Sequence, residues 1–411
     1  MVDYGHQSIA DMVPVAMFID RISIWLAYYV WSLCPTARGQ ESSTRYLKMS
    51  VDDLIPPEEL GLASAQTLEW RNCMEEAFRA YQSSLALWEE LARENPSRTG
   101  IPQSLLNDSS DPARKKAARM KRNFAFDRAR YFLPVASATN MMLVMSARGW
   151  VDLCQYLLSH PLPEPQRLGA LIRSELEIAA PRMIKYSKCT EATQQAIGRE
   201  FENLVRQARN APPSSPATPT DFKDLAAPYL SLLLPDGISP GEIADDLAYH
   251  SNRYAPVGTS LQRIGVRFGW SALAFAEIRD LNRHRTGNKY CPQVPRGFYF
   301  ALDQIPGASI QFERHKAELL RVASVGSLAS AEAAKSLSAG VPSYIYWSLL
   351  GTEFPFEHVT TADNFIYEAE LRTGLGAHFR YAKHLRDALE LWYHHFPETK
   401  NLILEGSAEP E

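Results

Sequence analysis

Two short runs concentrate the residue types that hold anions. Glu41-Ser42-Ser43-Thr44-Arg45-Tyr46 follows an apolar segment that ends near Leu33-Cys34-Pro35. Glu41, Ser43 and Arg45 alternate, so in an extended chain they project to one side. There a guanidinium and a hydroxyl suit a phosphate, and a carboxylate accepts from a sugar or base. Arg283-His284-Arg285 closes a second apolar run, read as a long helix from about Trp270 through Leu281. Three adjacent donors suit a pyrophosphate or another polyanion. Each run alone has a plainer reading: a polar loop leaving a helix, or cations decorating a helix C-terminus where the macrodipole favours them.

The elements that must position these runs are mostly helical. Gln66 to Glu94 spaces Leu68, Cys73, Met74, Phe78, Tyr81, Leu85, Trp88 and Leu91 as a helix does, and Met141 to Leu158 and Pro165 to Ile178 also read as helices. Tyr229 to Leu234 has strand length. Ser239-Pro240-Gly241-Glu242 combines an N-cap serine, a first-turn proline and a capping-box glutamate, which predicts a helix start. Glu313-Arg314-His315 reads as the outer face of a helix, Ser327 to Ser338 as a small-residue helix or a loop, and Phe365 to Tyr393 as helical. Between the two halves, residues 210–220 (NAPPSSPATPT) replace periodic apolar residues with proline, serine and threonine, the composition of a linker. The expected class is α/β, a helix-rich α+β arrangement in two similar halves.

The 411 residues carry 43 basic and 47 acidic side chains, a net charge of −4. That balance opposes broad attraction to nucleic acid or anionic lipid, so any anion site is local. Five cysteines without a C-x-x-C pair point to a reducing compartment and no structural metal. Among the histidines only His394 and His395 are close neighbours, and adjacent helical residues do not face one ligand. The apolar stretch Met12 to Leu33 is interrupted by Pro14, Asp20 and Arg21, which favours a buried segment over a membrane span.

Taken together, the two runs resemble the parts of one signature, the R-H-R-x-x-S-x-N-E-x-S-x-R-Y of the flavin-dependent thymidylate synthases. The first half keeps Glu41, Ser43 and Arg45 but has Leu33-Cys34-Pro35 in place of the first part. The second half keeps Arg283-His284-Arg285 but continues Thr286-Gly287-Asn288-Lys289-Tyr290. Each half retains what the other lost. Tyr4-Gly5-His6-Gln7-Ser8-Ile9-Ala10-Asp11 resembles the family's G-H-x-[ST]-x-x-E segment. Asp127 to Pro134, then Thr139 and Ser146-Ala147-Arg148, resembles its E-x-A-R-x-x-L-P, T and N-A-R series, with Ser146 departing from asparagine. Leu157 stands where an arginine acting on the uracil ring is expected. Glu370-Leu371-Arg372 followed by Ala377-His378 resembles the segment bearing that arginine, whereas Tyr344 to Gly351 has no counterpart of Arg130.

The resemblance implies two tandem, diverged copies of that fold, 1–209 and 221–411 joined by 210–220, in a cytoplasmic homodimer that mimics a tetramer. The first copy is expected to be N-terminally short. The implied reaction is C5 methylation of dUMP with FAD as cofactor and methylenetetrahydrofolate and NADPH as co-substrates, at composite sites drawn from both copies. Glu41, Ser43, Arg45, Arg130 and Arg283 would hold the nucleotide and Arg372 would act on the base. His6, Ser8, Arg148, His284 and Arg285 would contact flavin. The alternatives are a relative acting on another pyrimidine nucleotide such as UMP, and a non-catalytic nucleotide- or flavin-binding paralogue. No nucleic acid, membrane or metal is expected.

Overall fold

A run of apolar residues at every position reads alike as helix or strand, and two such runs begin as strands here. Met141 to Leu158 divides into a strand, Ala138–Ser146, and a helix, Ala147–Ser159. Met141, Leu143 and Met145 are buried while Met142 and Val144 are half-exposed, the period of a strand. Ser146 ends it by accepting from Gly149 N at 3.1 Å, an N-cap bond. The run through Leu281 divides in the same way into Gly265–Ala274 and Phe275–Leu281. His315 corrects a third expectation: Glu313 and Arg314 are exposed, but His315 turns inward.

The computed structural model describes residues 7–45, 49–211, 226–305, 310–374 and 377–406. Its strands are β1 (Pro14–Ser23), β2 (Arg38–Glu41), β3 (Ala138–Ser146), β4 (Pro228–Leu233), β5 (Gly265–Ala274), β6 (Asn288–Tyr290), β7 (Gly297–Phe298) and β8 (Thr352–Thr361). The helices are α1 (Ile24–Leu33), α2 (Pro57–Leu60), α3 (Ser64–Glu94), α4 (Gln103–Asn107), α5 (Asp111–Ala129), α6 (Ala147–Ser159) and α7 (Pro163–Ala179). They continue with α8 (Glu191–Asn210), α9 (Pro240–Leu247), α10 (Thr259–Arg263), α11 (Phe275–Leu281), α12 (Ile310–Ser338), α13 (Ala362–Thr373) and α14 (Phe379–His395). The class is α+β. The long helix α3, the strand β4 and α9 with its Ser239–Glu242 capping box match the sequence reading. No described helix is long and apolar enough to cross a membrane, and all five cysteines are free thiols.

Two compact units form, each from three stretches of chain. The first comprises Met1–Ala86, Ala129–Thr220 and Gln293–Thr352, the second Leu87–Arg128, Asp221–Pro292 and Glu353–Glu411. Each unit thus draws on both sides of residues 210–220, most of which lie outside the described residues.

The first unit holds the antiparallel sheet β1-β3-β2. Glu164, fully buried, accepts from Ser23 N at 2.7 Å, Ser23 Oγ at 2.8 Å and Tyr346 OH at 2.6 Å. Ser23 Oγ in turn caps α1 through Leu26 N. Within the same unit Pro134 bridges Leu349, flanked by Val135 N to Ser348 O at 3.1 Å and Leu350 N to Leu133 O at 2.8 Å. The second unit holds β4-β5-β8-β6.

The sheets repeat one plan. In β1 and β3, Pro14 faces Ser146 and Ser23 faces Ala138; in β5 and β8, Gly265 faces Thr361 and Ala274 faces Glu353. Both pairings slip at the same place, between Ile19 and Ile22 and between Trp270 and Leu273. On the other side of β3 and β8, Arg38 faces Val144 and Asn288 faces Val359, again matching positions. Helices α1 and α11 follow at once, and α6 and α13 start from Ser146 and Thr361. Register therefore equates residues: Leu143 with His358, Gly39 with Lys289, Leu153 with Glu368, and Leu157 with Arg372. The bridge Pro134–Leu349 joins two residues that this register equates, and its flanking bonds exchange when equated residues are exchanged.

Candidate functional site

In the second unit, β5 delivers α11, whose last turn runs into Arg283-His284-Arg285. Helix α13 brings Arg372 to the same place: its Nε donates to His284 Nε2 at 2.8 Å. That bond fixes the neutral His284 tautomer, with its proton on Nδ1. Burial, with Arg372, Lys289 and His358 adding to it, pushes His284 down to about 3 against the opposing pull of Glu368. Arg372 is half-buried, with its guanidinium 5.7 Å from the Tyr381 ring centroid.

Behind this pair lies a second layer. Glu368 precedes Arg372 by four residues, hence on one helix face, and is buried. Its Oε2 lies 3.1 Å from His358 Nδ1. Burial opposes ionisation of Glu368, but its basic neighbours, His358 and Lys289 among them, outweigh it and hold the carboxyl below its ordinary value. His358 Nε2 donates to Thr286 O at 2.9 Å. Lys289 Nζ donates to both His284 O and Thr286 O. Burial, partly countered by Glu368, lowers Lys289 to about 8. The first sheet has Leu143, Leu153 and Leu157 at the matching places of His358, Glu368 and Arg372, all three buried.

The other anticipated residues lie in the first unit. Strand β2 ends at Glu41, and the chain turns at Thr44 and Arg45, so the extended segment is shorter than its sequence suggested. Ser43 Oγ instead accepts from Arg45 N at 3.3 Å, the local bond serine offers in turns. Arg130 is buried and opens the 3-10 turn Arg130–Phe132. Arg148 pairs with Asp11 at 3.1 Å, and Ser146 Oγ lies 3.2 Å from the other oxygen of Asp11. The last residue of the G-H-x-S-x-x-D run thus meets the S-A-R run. His6 lies outside the described residues, as does the Ser8 side chain.

Sequence reasoning brought Arg372 and His284 to one site from 88 residues apart, and they are in contact. It missed Lys289, His358 and Glu368. The spacing of Glu368 from Arg372 was the available signal. His358 offered only an inward strand position among Phe354, Phe356 and Thr360.

Cationic side chains at the α11 terminus, Arg283 and Arg285, with Lys289 beside them, are a donor set for a phosphate or pyrophosphate. This chemistry fits a phosphorylated nucleotide or a dinucleotide cofactor.

Residues 1–182 match the sequence model of the family described as thymidylate synthase complementing protein. A UPF0159 protein of Thermoplasma acidophilum is 27% identical over 198 residues, which cover 44% of this chain and 40% of that relative. The chain thus spans less than half the length of this curated relative.

Proposed function

We propose, on the premise of that family match over residues 1–182, that the chain is a thymidylate synthase-like enzyme built from two diverged copies of one fold. The reaction is FAD-dependent C5 methylation of dUMP, with methylenetetrahydrofolate as carbon donor and NADPH as reductant, in a cytoplasmic homodimer. One observation carries this reading. Arg372 occupies the register of Leu157, the place where the resemblance calls for a base-contacting arginine, and it bonds to His284 of the R-H-R run. The equal strand register and the self-paired Pro134–Leu349 bridge support duplication.

In this reading Glu41, Ser43, Arg45, Arg130 and Arg283 bind the nucleotide. Fastened through Nε, the Arg372 guanidinium turns its terminal amino groups to the pyrimidine, where negative charge grows as the ring is attacked. His284, held neutral, takes no proton from Arg372 and serves as its anchor. Arg148, His284 and Arg285, with His6 and Ser8, would hold FAD, which supplies the hydride chemistry when bound. Asp11 fixes the Arg148 side chain, and the Ser146 hydroxyl takes the place of the family's asparagine amide.

The test is FAD retention by purified protein, followed by flavin oxidation with methylenetetrahydrofolate and NADPH on dUMP and on UMP. Turnover of dUMP bears the proposal out, and preference for UMP moves the substrate. Absence of FAD binding sinks it in favour of the paralogue that only binds nucleotide, the reading that Leu143, Leu153 and Leu157 favour in the first sheet. The complementary motif parts also predict that Arg45→Ala and Arg283→Ala chains, each inactive, regain activity on mixing if the parts come from different chains. No regain with proven subunit exchange leaves both parts to one chain.

A further inference from the structure

The Arg283–Gly287 turn is held from behind by groups that the proposed chemistry does not use. Its two carbonyls at His284 and Thr286 accept from Lys289 Nζ, and Thr286 O also accepts from His358 Nε2 at 2.9 Å. Glu368 backs both donors, 3.1 Å from the His358 ring and close enough to Lys289 to favour its charged form. Gly287 has φ +67, and a Cβ there would lie 2.3 Å from Val359 O and 2.8 Å from His358 Nε2, so the turn is pressed onto β8. Such a contact and such a φ admit only glycine. Gly39, Leu143 and Leu153 occupy the matching positions of the other sheet, which has no such clamp.

We infer that Lys289, His358 and Glu368 form a clamp that sets the conformation of the Arg283–Gly287 turn, and that they are positioning residues for the anion held by Arg283 and Arg285. The inference rests on the proposed nucleotide and flavin site for its ligand, but not for its geometry. Carbonyl groups of a tight turn point back when a cation gathers them; Arg283 is then exposed at reduced conformational cost, while Arg285, half-buried, is steadied by donating from one terminal amino group to Asn282 O at 2.7 Å. Lys289 adds its own charge. The charged and titratable groups around it are Glu368 and Arg372 from α13, His358 from β8, and His284 and Arg285 from the turn.

Lys289→Met, Lys289→Arg, Glu368→Gln and Gly287→Ala are compared with the full-length parent for dUMP and FAD affinity by titration calorimetry between pH 6.5 and 9.5. Amide hydrogen exchange of residues 283–288 is followed without ligand. Lys289→Met, Glu368→Gln and Gly287→Ala are expected to weaken binding about tenfold or more and to speed exchange of the turn about tenfold, with Lys289→Arg largely restored. Parent affinity should step down as pH rises past about 8, where Lys289 loses its charge, and Lys289→Met should lack that step. Folded Lys289→Met and Gly287→Ala proteins with parental exchange at 283–288 would overturn the clamp. If the parent binds neither dUMP nor FAD, the functional reading fails while the exchange data alone still decide the clamp.

Discussion

Replacing Arg372 separates the base-contacting role from a structural one. Arg372→Ala removes the Nε–H bond to His284 and leaves that ring nitrogen without its donor. A hydrogen bond from a charged group contributes about 1.5–3 kcal/mol net. If the guanidinium makes one such bond to the developing charge on the base, its loss lowers kcat/KM about 10- to 150-fold, at 1.36 kcal/mol per decade. Folding should lose about 1–3 kcal/mol, since the buried His284 nitrogen is left unpaired, and about 0.3–1 kcal/mol more of helix-dipole interaction in the last turn of α13, so kinetics are compared on folded protein. Arg372→Lys restores charge but not the planar fork, so it should recover nucleotide affinity more than kcat. The assay is flavin oxidation with dUMP, methylenetetrahydrofolate and NADPH, at substrate concentrations that resolve kcat from KM. Arg372→Ala within twofold of the parent in kcat/KM, with FAD bound in both, refutes the assignment.

Three further outcomes follow from the second unit. His284 should show no titration between pH 5 and 8 in histidine NMR spectra, because burial first, and its cationic neighbours next, hold it near 3; a midpoint above 5.5 contradicts this. Glu368, ionised with a lowered pKa, contributes stability that is present above the ordinary glutamate value and lost as pH falls toward the folded-state value. Glu368→Gln should therefore be less stable at pH 7 and flatter below about pH 4.5 in urea melts, and a profile parallel to the parent's would count against the reading. Arg380, buried at 3.1 Å from Glu353 and 3.6 Å from Glu277, shares its one positive charge between two buried carboxyl groups. Arg380→Met should cost about 3–5 kcal/mol, and a loss under about 1 kcal/mol would show that those carboxylates are otherwise satisfied.

What the sequence disclosed depended on how far each signal reached along the chain. The capping box at Ser239 and Glu242 is local, so α9 was legible. Met141 to Ser146 and Trp270 to Ala274 were not, because apolar residues stand on both faces of these strands, so the sequence lacks the apolar–polar alternation that marks a strand even where burial alternates. The arginines of the proposed site stood out by type and motif. Lys289, His358 and Glu368 did not, since their meaning lies in a meeting of three elements, β6, β8 and α13, that no spacing within one element conveys. Compact units assembled from interleaved stretches are likewise invisible to a boundary search that looks for proline and serine.

The equal register makes the difference between the two sheets interpretable. A slip of one residue would turn every inward side chain to the opposite face, yet both sheets keep the same facing pairs and the same irregularity. Leu143, Leu153 and Leu157 therefore show that buried leucine fills these three places, each contributing about 1.5–3 kcal/mol. Burying His358 and Glu368 at two of those places, with Arg372 half-buried at the third, carries a desolvation cost that ion pairs seldom more than offset. A polar cluster at positions where leucine demonstrably suffices is not explained by folding. On the proposed function, the arginines meet the charge of an anionic ligand and Lys289, His358 and Glu368 hold the turn that carries them, while leucine fills the matching places of the other sheet.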